Sequence, residues 1–534
     1  MKNSSILFGI IIFFAAWFRL TNLTSNPPSL SWDEASIGYN AYTILTKGTD
    51  EHGVRFPLGA FAAFGDYKPS LPIYLTVPFI AVFGLSDLAV RLPSSIFGIL
   101  TVLLIYFLVK ELFSNQRLAL LSALFLAISP WHIMLSRAGF EANIATFFIT
   151  LGVYLILMSR KNVSALPYAF LPFVAGMYTF NSARYAGPLI AFGVLCFSWG
   201  ATSKAKISLY KGFIIAVIAL LPLMPHLVSR EARLRFQEVS IFTNLETILI
   251  SNARSLSDSN AWWSKIVDNR RIGYGREYLL HFFDNLEPRF LFIKGDGNPK
   301  FSIQDTGQLL LVTAPFVFVG WLALAARMPA VAGLLLFWLL ASIAPAAVAR
   351  ETPHALRVEN GLPVWIIVTA YGCTQLMGVF SGKKLRLFVG IILALLVLGN
   401  FGYFWHTYTT HYKKEYSGEW QYGYKEAIEY SESVKEKYDV IVMTESLGRP
   451  YIYTLFYGKY DLSFFQTTKN ASFDKEGFYN VYRFGKYRFV RHVNEKYEGR
   501  VLYILPVNQV PQNAKVLKNI QLLNGSMGLV IFEL

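Results

Sequence analysis

Charge is scarce in this sequence. Asp, Glu, Lys and Arg make up 16% of its 534 residues, against about 25% in soluble domains. Cysteine is scarcer still. Cys196 and Cys373 are the only two, both inside apolar runs. They offer neither a disulfide framework nor a metal-binding spacing and read as small packing residues. The first apolar run lacks a small-x-small cleavage site, with Trp17 and Phe18 standing where small residues would be needed. That run is therefore read as a retained first helix, not a secretory signal. There is no solenoid-type repeat and no low-complexity tract. An ordinary soluble domain and a disulfide-stapled scaffold are both excluded for most of the chain.

Apolar length is what the chain has instead. It is 54% hydrophobic with a mean hydropathy of +0.39. A spanning helix needs about 20 mostly apolar residues. Eleven segments meet or approach that, at 5–23, 88–109, 118–135, 142–159, 165–181, 186–200, 211–228, 308–326, 329–348, 360–378 and 387–405. A shorter, proline-punctuated stretch at 69–84 reads as a juxtamembrane or re-entrant helix. The expected fold class is an α-helical polytopic membrane protein of about 11 transmembrane helices, with a C-terminal soluble α/β domain. The domains expected are 1–405, embedded, with large loops at 24–87 and 229–307, and 406–534 beyond it. In the tail, YKEAIEYSESVKEKY has helical periodicity, while YDVIVMTES, RVLYILPV and GSMGLVIFEL read as strands.

Lysine and arginine in short loops set orientation. With a cytoplasmic N-terminus, twelve cations fall in inside loops: Lys2, Lys110, Arg117, Arg160, Lys161, Lys204, Lys206, Lys211, Arg327, Lys383, Lys384 and Arg386. Four fall in short outside loops: Arg137, Arg184, Arg350 and Arg357. The loops 24–87 and 229–307 and the tail are then extracytoplasmic. The net charge of +15 is thus a matter of topology and anionic membrane lipid, and no nucleic-acid partner is expected.

The exceptions to this trend point to chemistry. An outside arginine works against topology unless it binds something, and an interfacial phosphate suits it. The alternative is structural ion pairing, such as Arg137 with Glu141 or Arg350 with Glu351 or Glu359. His354, near Arg357, reads as structural or as a phosphate or metal contact. The first outside loop holds Asp33 and Glu34 in SLSWDEASIGYNAY. Carboxylates beside lipid are costly unless solvated or used. One near an acceptor can act as general base, whereas an acidic pair at a helix N-terminus is also favoured by the helix dipole. The same loop closes with GDYKPSLPIYL, placing Asp66, Tyr67 and Lys68 at the start of an apolar stretch. Lys68 either snorkels to headgroups or holds a phosphate as a point charge.

Taken in order, WDEA, YKPSLPIYL, RLPSSIFGILTVLLIYFLVKELF, SPWHIMLSRAGFEAN, YTFNSARYAGP and PHALR form a familiar series. The chain resembles the dolichyl-phosphate-mannose–protein mannosyltransferase superfamily of GT-C fold, which includes the aminoarabinose transferases acting on lipid A. The resemblance covers about residues 5 to 405. It implies a membrane glycosyltransferase that moves a hexose or mannose-like sugar, with inversion, from a polyprenyl-phosphate carrier to a protein, lipid or glycan acceptor. It implies Asp33 as catalytic base with Glu34 as its acidic neighbour, and Lys68 on the donor phosphate. Arg137, Arg184, His354 and Arg357 would share that phosphate, with Asp66, Tyr67 and Glu141 in support. The lipid A transferases usually read Glu-Lys-Pro-Pro where this chain reads Tyr67-Lys68-Pro69-Ser70. The sugar therefore stays open, and so does the cofactor, a divalent metal being possible. The expected location is a prokaryotic plasma membrane. A transporter or flippase of lipid-linked sugars is the alternative reading.

Overall fold

The computed structural model describes residues 2–474, 478–493 and 495–534. Among the described residues, six helices are long and apolar enough to cross a membrane: Asp87–Phe113, Glu141–Ser159, Trp199–Leu227, Pro329–Val348, Ala355–Val379 and Lys383–Glu415. The pair Gln116–Ala127 and Pro130–Arg137 is apolar enough only when taken together and bends by 55° at its break. The break precedes Pro130, whose ring disfavours helix in the residue before it. Shorter apolar helices occupy Ser4–Leu20, Ser70–Phe83, Val163–Met177, Ala183–Phe197 and Leu311–Arg327. Each of the eleven apolar segments of the sequence lies on one of these helices, and the stretch at 69–84 is the helix Ser70–Phe83.

The chain divides into two compact units. The first comprises Met1–Ala15, Phe97–Leu135 and Glu141–Phe404. Its helices are apolar nearly all round, so composition cannot choose the contact face and small residues do. Ala314–Arg327 crosses Leu362–Val379 where Gly320 meets Val368 and Gly372 meets the Phe316 carbonyl, with no room for a Cβ at either glycine. Such backbone approach is how helices associate in lipid, where apolar burial alone gives no preference.

The second unit comprises Ala16–Ile96, Ser136–Phe140 and Trp405–Leu534. It holds a hairpin of β1 (Ala60–Ala63) and β2 (Asp66–Pro69). It also holds a seven-stranded sheet of β3 (Val440–Thr444), β4 (Asn470–Phe473), β5 (Tyr479–Phe484), β6 (Tyr487–Val490), β7 (Val501–Pro506), β8 (Lys515–Gln521) and β9 (Met527–Glu533). The strand order is β4-β5-β6-β3-β7-β9-β8. Central β3 runs parallel to β6 and β7, and the remaining pairs are antiparallel. β3 and β7 are buried along most of their length, as strands covered on both faces must be.

Compactness groups this unit differently from composition. Leu30, Tyr39 and Ile73 of the first large loop share one hydrophobic core with Tyr424, Met443, Phe456 and Ile531 of the tail. Polar contacts run the same way. Tyr39 Oη donates to the Tyr460 carbonyl at 3.0 Å, and Tyr453 Oη to the Leu30 carbonyl at 3.0 Å. Lys425 Nζ pairs with Asp87 at 2.9 Å.

Candidate active site

The helix Trp32–Lys47 begins with a capping box. Ser31 Oγ accepts the Glu34 N–H, and Glu34 Oε2 accepts the Ser31 N–H at 2.9 Å. This reciprocal arrangement satisfies two donors that a helix start leaves open. Successive residues of a helix are turned about 100° apart, so the two carboxylates separate. Glu34 turns inward and is 1% exposed. Its Oε1 accepts Arg91 Nε and the Gly139 N–H, each at 2.9 Å. Asp33 turns outward, its side chain 37% exposed, with Oδ1 at 2.8 Å from Lys68 Nζ.

Lys68 is delivered by the β1–β2 hairpin, where it stands opposite Phe61. The two-residue turn Phe64-Gly65 has φ of 60° and 93°, positive at both positions as a type I′ turn requires. Lys68 Nζ also lies 3.4 Å from Asp66 Oδ2, while Asp66 Oδ1 accepts the Tyr67 N–H at 2.8 Å. A cation thus sits between two carboxylates, one of them partly open to solvent.

Two buried arginines fix the segment leading into this helix. Arg91 is fully buried and donates to the carbonyls of Leu23 and Pro27 at 2.9 and 2.7 Å, to the Ser29 carbonyl, and to Glu34. Arg137 donates to the carbonyls of Phe18, Thr21, Asn22 and Asn26 at 2.7, 2.8, 3.3 and 2.8 Å. It lies over the rings of Trp405 and Tyr408. A guanidinium at the end of helix Lys2–Leu20 meets the carbonyls and partial negative charge that a helix C-terminus exposes. The Nη donors of Arg137 are therefore engaged by backbone, as both oxygens of Glu34 are by donors. Arg91 is the functional-region residue that sequence reasoning missed. Its one signal was a charge opening an otherwise apolar run.

The remaining expected residues lie in the first unit. Arg184 Nε donates to the Met177 carbonyl at 3.2 Å. Glu141 opens the helix Glu141–Ser159 and is buried. Arg350 donates to the Ser240 carbonyl and Thr243 Oγ1 at 3.1 and 2.9 Å. Arg357 Nη1 donates to the Glu351 carbonyl at 3.0 Å, with the exposed Glu351 carboxylate 3.8 Å away. The Asp296 carboxylate accepts the Asn298 and Ala355 N–H groups at 2.8 and 2.7 Å. Burial pushes its pKa up to about 6, against the pull of those donors and of Arg357. Burial, then the Arg357 charge, holds His354 well below the usual imidazole range. His354 Nδ1 is 4.0 Å from Asp296, too far for a hydrogen bond, and a neutral ring makes no ion pair. Among the described residues, no three His, Cys, Asp or Glu side chains gather as a metal site.

Known proteins bear on this geometry in two ways. Residues 67–228 match the family described as dolichyl-phosphate-mannose-protein mannosyltransferase. That span holds Lys68, Arg91, Arg137 and Arg184, while Asp33 lies before it. Crystal structures of ArnT from Cupriavidus metallidurans superpose on the whole chain. The apo form has a TM-score of 0.55 at 12% identity, and the form bound to undecaprenyl phosphate 0.52 at 11%. Each alignment covers 100% of this chain and 98% of the other.

The chain has the GT-C fold.

The apo oligosaccharyltransferase of Archaeoglobus fulgidus shares this GT-C fold with a TM-score of 0.50 at 12% identity. That alignment covers 85% of this chain and 63% of the archaeal one. No curated protein sequence matches significantly. The superfamily resemblance drawn from the ordered motifs stands on this GT-C fold together with the family match.

Proposed function

We propose that this chain is a membrane glycosyltransferase that moves a sugar from a polyprenyl-phosphate carrier to an extracytoplasmic acceptor. The observation that carries the reading is the Asp33–Lys68 pair at the start of the helix Trp32–Lys47, 2.8 Å apart. Asp33 stays partly open while its neighbour Glu34 is enclosed. The GT-C fold and the undecaprenyl phosphate bound by a structural relative support a lipid-phosphate donor.

In this reading Lys68 exchanges Asp33 for the donor phosphate, and the released carboxylate becomes a general base. Asp33 takes the acceptor's proton as its oxygen or nitrogen bonds to the anomeric carbon. The carbon–oxygen bond to phosphate breaks on the opposite face, so the configuration inverts. The phosphate leaves with the electron pair, and the Lys68 ammonium stabilises the growing negative charge. Glu34 and Arg137 are assigned to the scaffold, because the contacts they already make hold the helix start and its approach. The assignments of Arg184, His354 and Arg357 to the phosphate, with Asp66, Tyr67 and Glu141 in support, remain part of this proposal. Each of Arg184, His354 and Arg357 is tested by its own alanine variant through the donor KM.

The deciding experiment follows a labelled polyprenyl-phosphate sugar in detergent with cell-envelope acceptor. Wild type should consume donor, and Asp33→Asn should lower turnover by about 100-fold or more with its expression and elution profile unchanged. A flippase would leave the donor unconsumed.

A further inference from the structure

The sheet of the second unit has its own concavity. The chain leaves β3, passes through the helices Pro450–Tyr457 and Leu462–Thr468 to β4, β5 and β6 on one side, then crosses to β7 on the other side of β3. The C-terminal ends of β3 and β6 thus lie at a point where connections diverge. Crevices form at such points in sheets with parallel strands, and ligands bind there. A pocket of about 350 Å³ opens at this place, lined among others by Glu445, Arg449, Asp474, Tyr479, Asn480 and Arg491. Its volume is within the range of small-molecule sites.

The lining selects by charge. Glu445 lies 3.6 Å from Arg491 Nε. Asp474 accepts the Phe478 N–H and Asn480 Nδ2 at 2.7 and 3.0 Å. Arg449 donates to the Tyr479 carbonyl at 3.3 Å and lies over the Phe478 ring. Carboxylates oppose a phosphate here, guanidinium groups oppose a cation, and the polar walls oppose an acyl chain. A neutral, hydroxyl-rich ligand satisfies both signs, since each hydroxyl donates once and accepts twice.

The pocket wall is also tied to the candidate active site. Gly448 and Arg449 have φ of 82° and 52°, a left-handed pair uncommon for arginine. This turn brings Gly448 against Trp32, the residue before Asp33, closely enough that a Cβ would lie 3.0 Å from the indole. It also lays Arg449 over Phe64, the turn residue of the hairpin that carries Lys68.

We propose that this pocket is a saccharide subsite, binding a neutral sugar unit of the acceptor. The assignment rests on the transferase reading above and adds the acceptor's chemical class to it. The test is saturation-transfer NMR on the detergent-solubilised full chain. The probes are methyl α-mannopyranoside, methyl β-galactopyranoside, the methyl glycoside of N-acetylglucosamine, and a Ser/Thr hexapeptide. At least one glycoside should respond. The response should fall about ten-fold in Glu445→Gln combined with Arg491→Ala. Arg491→Ala alone, at a side chain 85% exposed, should weaken it without disturbing the fold. Lys515→Ala, remote in the sheet, and Asp33→Asn should keep it. No glycoside response, a response that survives the double variant, or a peptide response alone would overturn the proposal. Donor turnover is measured separately. Saccharide binding without turnover therefore rejects the transferase reading, and turnover with no pocket-dependent binding rejects this one.

Discussion

Adjacent acids do unequal work at the start of the helix Trp32–Lys47. Glu34 accepts three donors in a dry interior, and one of them is the fully buried Arg91. Removing one partner of a buried ion pair strands the other charge, at a cost of about 3–5 kcal/mol. Glu34→Gln is therefore expected to destabilise the protein strongly, read as a fall in its unfolding midpoint in detergent. Asp33→Asn, at an open position, should leave that midpoint nearly unmoved. Asp296 gives a pH-dependent counterpart. Its folded pKa is raised, from 3.8 to about 6, so the folded state holds the proton more tightly. Stability should fall as pH rises from about 4 to about 6, by about 3 kcal/mol, and then level off. Asp296→Asn should remove that dependence, so its midpoint gains on wild type between pH 4.5 and 7.5. Asp33 and Lys68 were legible in the sequence because each sits in a short ordered motif. The partnership of Glu34 with Arg91 was not, because nothing local links residues 57 positions apart.

At the scale of elements, apolar length and period carried the reading well. The eleven segments and the three strands β3, β7 and β9 all lie where hydropathy put them. The β1–β2 hairpin escaped because Phe64 takes a positive φ where turn chemistry favours Asn or Gly. The helix Pro450–Tyr457 escaped because PYIYTLFY is rich in aromatic and β-branched residues that favour strands. That helix has a packing role. A Cβ at Gly38 would lie 2.5 Å from the Phe456 ring and 2.6 Å from Val90, so the backbone of the helix bearing Asp33 receives that ring directly. Gly38→Leu should force them apart at about 1–3 kcal/mol or more. It should also lower transfer more than a surface change such as Lys515→Ala, measured in the same donor-consumption assay.

At the scale of the molecule, composition marked the tail as soluble-like and the rest as embedded. It could not reveal that residues 16–96 and 405–534 share a core, since long-range pairing leaves no trace in local pattern. That shared core imposes an order on biosynthesis. The segment bearing Asp33 leaves the ribosome well before its partners: Tyr39 and Leu30 bond Tyr460 and Tyr453, 421 and 423 residues later, and Ile531 of β9 belongs to the same core. That part of the site must wait for those later residues to be translated before its core can close.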